Sequence, residues 1–247
     1  MENIYPYWPA PKNIRALTTI RQGGVSLQPY QSMNLANHVG DDELAVITNR
    51  QQIILQEKVP SSLAWLIQTH STEVIDISSL TAFNTPLHAD ASYSCSANIV
   101  SVVLTADCLP VLFCSSSGDQ VAAAHAGWRG LCGGILENTV KHFDCPTSKI
   151  MAWLGPAIGP QAFEVGIEVK QAFTQHDAKA NVAFQLSKPI EQKYLANLYL
   201  LAKQRLLQLG ITQIYGGEYC TYRQSERFFS YRRDKQTGRM ASMIWFT

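Results

Sequence analysis

The middle of the chain is dominated by three apolar runs, at residues 99–106, 109–114 and 121–124, separated by short breaks. Runs of this kind without charged residues predict buried strands. Further strand-like runs lie at 16–20, 63–68, 74–77, 149–154, 211–215, 228–231 and 241–246. The first runs into the Gly23-Gly24 turn, and 149–154 ends at Gly155-Pro156. Helical spacing appears three times. Asp41 and Asp42 can cap a helix that presents Leu44, Ile47, Ile54 and Leu55 on one face. A second helix, starting near Arg129, presents Leu131, Ile135, Leu136, Val140 and Phe143. A third spans about 191–209, with Leu195, Leu198, Ala202, Leu206 and Leu209 facing the core and Gly210 as its C-terminal cap. The strands cluster and do not alternate with helices. That predicts an α+β fold of one domain, with mixed sheets and flanking helices, rather than a doubly wound parallel sheet.

Composition narrows the class. In a chain of 247 residues, 46% are hydrophobic and only 16% charged, which excludes a disordered or coiled-coil protein. Lys and Arg number 20 against 19 Asp and Glu, a net charge of +1. No global field draws the protein to nucleic acid or an anionic membrane. No apolar run reaches the ~20 residues of a membrane span. Residues 1–13 carry Pro6, Pro9 and Pro11 and lack an apolar core stretch, so they do not read as a secretory or transit signal. The six cysteines form no C-x-x-C pair, and the expectation is reduced thiols in the cytoplasm.

Three segments bring reactive side chains to strand ends: Gln68-Thr69-His70-Ser71, Thr105-Ala106-Asp107-Cys108-Leu109-Pro110 and Ala124-His125-Ala126-Gly127-Trp128-Arg129-Gly130. Together His70, Cys108 and His125 offer two imidazoles and a thiolate. That set suits zinc and leaves a fourth position open for water or substrate. The same residues also fit a nucleophilic Cys108 with His125 as its base. They fit ordinary packing as well, because a buried Cys between strands needs no further role. The helix start at Gly127-Trp128-Arg129-Gly130 can hold an anion or simply be capped by solvent. Arg232, Arg233 and Arg239 cluster near the end of the chain, either as an anion clamp near a pocket or as a solvated hairpin. Asp90 and Asp107 read as turn caps, with proton transfer as the alternative. His38, His88, His142 and His176 have weaker contexts.

Many motifs along nearly the whole chain fall in the order found in one family. They include Arg21-Gln22-Gly23-Gly24, Met33-Asn34-Leu35, His38-Val39-Gly40-Asp41-Asp42 and Gln68-Thr69-His70. Ala89-Asp90-Ala91, Thr105-Ala106-Asp107-Cys108, His125-Ala126-Gly127-Trp128-Arg129-Gly130 and Gly155-Pro156-Ala157-Ile158-Gly159-Pro160 follow. Phe163-Glu164-Val165, Cys220-Thr221-Tyr222, Phe229-Ser230-Tyr231-Arg232-Arg233-Asp234 and Thr237-Gly238-Arg239-Met240 complete the set. On these the chain resembles the laccase-domain family, proteins often named polyphenol oxidase and similar to zinc-dependent purine nucleoside phosphorylases. One departure is Ala196-Asn197-Leu198, where many relatives carry an acidic residue before the Leu.

The resemblance implies a sandwich-like α+β fold of cysteine-hydrolase type and zinc held by His70, Cys108 and His125. It implies phosphorolysis of adenosine, inosine and methylthioadenosine to a free base and a sugar 1-phosphate, with adenosine deaminase activity beside it. On the matching motifs the expected catalytic residues are Cys108, His125 and Arg129, and the expected substrate-binding residues are Arg21, Asn34 and Arg233. The expected partners are a purine nucleoside and phosphate, with neither nucleic acid nor membrane, and the expected assembly is a monomer or small homo-oligomer. Copper can occupy the same three ligands, since it outranks zinc in raw affinity. A multicopper oxidase, however, needs more imidazoles than six histidines in these contexts supply. A Cys-His amidase acting on a cell-wall precursor and a zinc-bearing interaction module are the other readings.

Overall fold

The computed structural model describes residues 2–80 and 87–247. Two sheets carry most of the strands. One runs Ile14–Thr18, Met240–Phe246, Ile99–Thr105, Ser62–Ala64, with the first two pairings antiparallel and the last parallel. The other runs Gln213–Gly216, Ile150–Leu154, Leu109–Ser115, Val121–Ala126, Ala91–Ser94, Val74–Asp76. Its interior pairings are antiparallel and its two edge pairings parallel.

Side-chain alternation explains why the sheets stack. Along Leu109–Ser115, Leu112 and Cys114 pack between the sheets with Val103, Met151, Trp153 and Ile244. Val111 and Phe113 point the other way, onto Leu131, Leu136, Leu201 and Leu206 of the covering helices. On the outer face of the four-stranded sheet, Val100, Val102 and Leu104 pack with Met33, Leu35 and Ile53. The result is helix, sheet, sheet, helix, an α+β architecture with mixed sheets as the clustered strands predict. Strands covered on both sides need no polar alternation, which accounts for the unbroken apolar runs.

Several elements differ from the pattern-based expectation. Helix Glu43–Gln56 starts at Asp42, whose side chain accepts from the Ala45 amide at 2.8 Å. It buries Val46, Asn49 and Ile53, whereas Leu44 and Leu55 remain 73% and 77% exposed. The buried face is centred on a polar residue. The Asn49 amide donates to Ser26 Oγ and to the Ser32 and Asn34 carbonyls, and its carbonyl accepts from the Val25 amide. The helix expected from Arg129 is two short helices, Trp128–Gly133 and Ile135–Val140, broken at Gly134 with φ 104°. The helix expected over 191–209 begins only at Leu198. Lys193–Ala196 is a strand, and Asn197 caps Leu198–Gln208 by accepting from the Leu200 amide at 3.0 Å. At its far end Gly210, with φ 85°, follows the cap Leu209. The amides of Gly210 and Ile211 donate to the carbonyls of Leu207 and Leu206 in a Schellman arrangement. Residues 228–231 are not a strand. Phe228 and Phe229 are buried in a non-repetitive segment, and Ser230 caps the short helix Tyr231–Asp234.

Candidate metal centre

The site lies at one end of the sandwich, where the chain passes from one sheet to the other. Thr105 ends a strand of the four-stranded sheet, Leu109 begins one of the six-stranded sheet, and Cys108 sits on the turn between them. Asp107 holds that turn at φ 94°. Its carboxylate accepts from Thr221 Oγ1 and from the Arg232 amide, both at 2.6 Å, and its carbonyl accepts from the Ile158 amide at 2.9 Å. His125 lies near the end of Val121–Ala126, in register with Pro110, two residues beyond Cys108. His70 follows the short strand Leu66–Ile67, at φ 61°. His70 is exposed, Cys108 half-buried and His125 only 4% exposed.

These three side chains converge, with their ligand atoms all within 4.8 Å of one another. Cys108 Sγ lies 3.7 Å from His70 Nε2, and the two imidazoles meet edge to face with centroids 4.8 Å apart. A tetrahedral zinc with two nitrogen ligands and one sulfur spaces its donors about 3.3–3.8 Å apart. The donor set and its spacing therefore fit a metal ion. No second group of three or more His, Cys, Asp or Glu donors converges among the described residues.

Asp90 holds this arrangement from beneath. It is fully buried. It accepts from the amides of Thr69, His70 and Ser71 at 3.1, 3.0 and 2.7 Å and from Ser71 Oγ at 2.7 Å. Its Oδ1 also lies 2.8 Å from His125 Nδ1. That bond occupies Nδ1 and leaves Nε2 as the ligating nitrogen of His125. One carboxylate thus sets the His70 loop and the His125 ring together. Burial acts to raise its pKa, but the hydrogen bonds from His125 and Ser71 hold it well below the usual carboxylate range. Burial would also raise the Cys108 thiol and lower His125. Their mutual attraction and hydrogen bonds, with Asp90 behind His125, outweigh it, so the thiol falls to about 6 and the imidazole rises to about 9.

The ligands open into a cleft of about 350 Å³ that His38, Gln68, Thr105, Tyr231 and Arg239 also line. Gln68 anchors one wall, since its amide both donates to and accepts from the Leu104 backbone. Behind the ligands, Gly127 leaves no room for a side chain. A Cβ there would sit 2.8 Å from His70 Cδ2 and 3.0 Å from Cys108 Sγ, although its φ of −62° suits any residue.

The other expected site residues lie elsewhere. Arg129 is exposed and stacks on Trp128, with 4.4 Å from guanidinium carbon to ring centroid, and does not line the cleft. Arg21 lies over the Phe229 ring at 4.9 Å and donates to the Gln31 and Ser225 carbonyls, bordering a separate surface groove. Arg233 ties the Thr221, Tyr222 and Phe228 carbonyls together and pairs with Asp234. Asn34 is buried and acts on the cleft at one remove, its Oδ1 accepting from the Arg239 amide at 2.9 Å. Arg239 and His38 do line the cleft. In the sequence both fall in motifs that carry the family resemblance, but neither is given a role at the site.

The chain belongs to the multi-copper polyphenol oxidoreductase laccase family, whose model matches residues 15–247. Within that family it is similar to the purine nucleoside phosphorylase of Haemophilus influenzae, 57% identical over 246 residues and 100% of each chain. It is 53% identical to the purine nucleoside phosphorylase YfiH of Escherichia coli, over 98% of each chain. A crystal structure of a Neisseria meningitidis protein, 47% identical, superposes with a TM-score of 0.94 over 100% of this chain and 99% of that one. YlmD from Geobacillus stearothermophilus, at 29% identity, superposes at 0.87 over 99% of both.

Proposed function

We propose that the protein is a zinc-dependent purine nucleoside phosphorylase, cleaving inosine, adenosine and methylthioadenosine with phosphate to the free base and the sugar 1-phosphate. The observation that carries this reading is the convergence of His70, Cys108 and His125 at a cleft, in a chain 57% identical to a purine nucleoside phosphorylase along its whole length. The nucleoside set, and adenosine deamination as an accompanying activity, come from the family resemblance. The three side chains would hold the ion, and the bound zinc would supply a Lewis acid at the cleft floor. Asp90 keeps His125 in the tautomer that presents Nε2 to the ion, and holds the loop that carries His70. Gln68 and the Leu104 backbone keep one wall rigid. Arg239 places positive charge within the same cleft as the ligands. Copper at the same ligands would give one ion and not the several of a multicopper oxidase, since among the described residues a second donor group is missing.

The test is metal analysis with a product assay. Purified protein should carry about one zinc per chain, and hypoxanthine release from inosine should require phosphate and yield ribose 1-phosphate. Equal release in phosphate-free buffer, with free ribose as product, rejects the reading. The low pKa of the Cys108 thiol also suits a covalent nucleophile in a Cys-His amidase. Cys108→Ser separates the two. Loss of zinc on dialysis supports the ligand role, whereas full zinc with no turnover supports the nucleophile.

A further inference from the structure

The cleft carries an arginine, Arg239, that no carboxylate of the described residues pairs with directly, although Cys108 and Asp107 attract it through charge. Arg239 donates through Nη1 to the Thr237 and Gly238 carbonyls at 2.8 and 3.0 Å. Its Nε and Nη2 have no hydrogen-bond partner, and it enters no ion pair, among the described residues. Its backbone is fixed. The amide donates to the buried Asn34, and Met240, the next residue, pairs in register with Thr105, which also lines the cleft. His38 lines the same cleft. Arg50, whose charge reaches His38, stacks on Trp65, 3.9 Å from guanidinium carbon to ring centroid, and spends its Nε and Nη2 on the Leu35 carbonyl, again without a carboxylate. The nearby acids are engaged elsewhere. Asp41 accepts from Asn34 and the Asp42 amide, Asp107 from Thr221 and Arg232, and Asp90 lies buried beneath the ligands.

A partly desolvated guanidinium with free donors and no directly paired acid is costly unless an anion arrives to take those donors. A fork of N–H groups matches a tetrahedral oxyanion in a way a lysine does not. We propose that Arg239, with His38 beside it, is the binding site for the phosphate co-substrate. Charge and geometry define an oxyanion, and its identity as phosphate rests on the phosphorolysis reading above. In that step a hydrogen phosphate oxygen forms the bond to the anomeric carbon as the glycosidic C–N pair leaves with the purine. The phosphate proton passes to the departing base, and nothing is oxidised or reduced. Arg239 binds and orients the attacking anion beside the three ligands.

The experiment compares wild type, Arg239→Gln and Arg239→Lys, each first checked for wild-type zinc content and melting temperature. Arg239→Gln should raise the KM for phosphate about 10- to 100-fold, the worth of a lost charged hydrogen bond. The KM for inosine should stay within about 2-fold, and Arg239→Lys should fall between. An unchanged phosphate KM, or an equal rise for both substrates, overturns the site. Calorimetric titration of the resting protein with inorganic phosphate tests it without turnover. Wild type should bind and Arg239→Gln should not, and equal binding or none in wild type overturns the site. If wild type binds phosphate through Arg239 but releases base without consuming it, the phosphorolysis reading fails while the oxyanion site stands. Should both variants fail the folding check, sulfate must still displace phosphate from wild-type protein in the calorimeter, and a sulfate-insensitive signal overturns the site.

Discussion

Asp90 takes five hydrogen bonds on two oxygens, from three consecutive amides, a hydroxyl and an imidazole. Replacing it with Asn removes the charge and turns one acceptor into a donor that faces donors. Zinc affinity of Asp90→Asn should fall about 10- to 100-fold, the usual cost of losing such a support behind a ligand, measured by competition with a chromophoric chelator. Wild-type affinity would mean that the ligands position themselves. A turn-capping role for Asp90 is legible from Ala89-Asp90-Ala91 at the start of a strand. Its bond to His125 is not, because the two lie 35 residues apart and meet only when their strands pair. Arg239 and His38 were obscured for a similar reason. An arginine among three, and a histidine before a turn, acquire meaning only from the donors left free where the fold brings them to the cleft, which is a property of space and not of spacing.

At the level of elements, the central strands were legible because burial on both faces leaves a continuous apolar signature. The amphipathic helices were harder. In Glu43–Gln56 the buried face follows a hydrogen-bonding asparagine, so counting apolar residues picks the wrong side. Around residue 197 the apolar residues of a short strand and of the helix after it fall into one helical spacing, and the Asn that divides them is the boundary signal. Asn197→Ala should lower stability by about 1 kcal/mol through loss of the cap, read by urea denaturation. It should leave zinc content unchanged, since the cap lies outside the cleft. No loss of stability would mean that the packing of Leu198, Leu201 and Leu206 alone sets where this helix begins.

Across the whole molecule, the three ligands hang on segments from different parts of the sandwich: a loop after a short strand, the turn between the two sheets and a strand of the six-stranded sheet. An ion there adds a tie to parts of the chain that Asp90 and strand pairing already join. Removing it with a chelator should lower the melting temperature by about 5–10 °C, given about 2.7 kcal/mol at a hundredfold excess over the dissociation constant and 2–4 °C per kcal/mol. Adding zinc should restore it. An unchanged melting curve after verified metal loss would show that the packed layers alone set the stability. Within this assembly the backbone at His70 is left-handed, a conformation that charges a residue with a Cβ roughly 1 kcal/mol and glycine almost nothing. Without the ion, stability and chemistry therefore ask for different residues at this position. In metal-free protein, His70→Gly should melt above His70→Ala while neither holds zinc. A directed search for thermal robustness under metal depletion, blind to activity, erases this histidine.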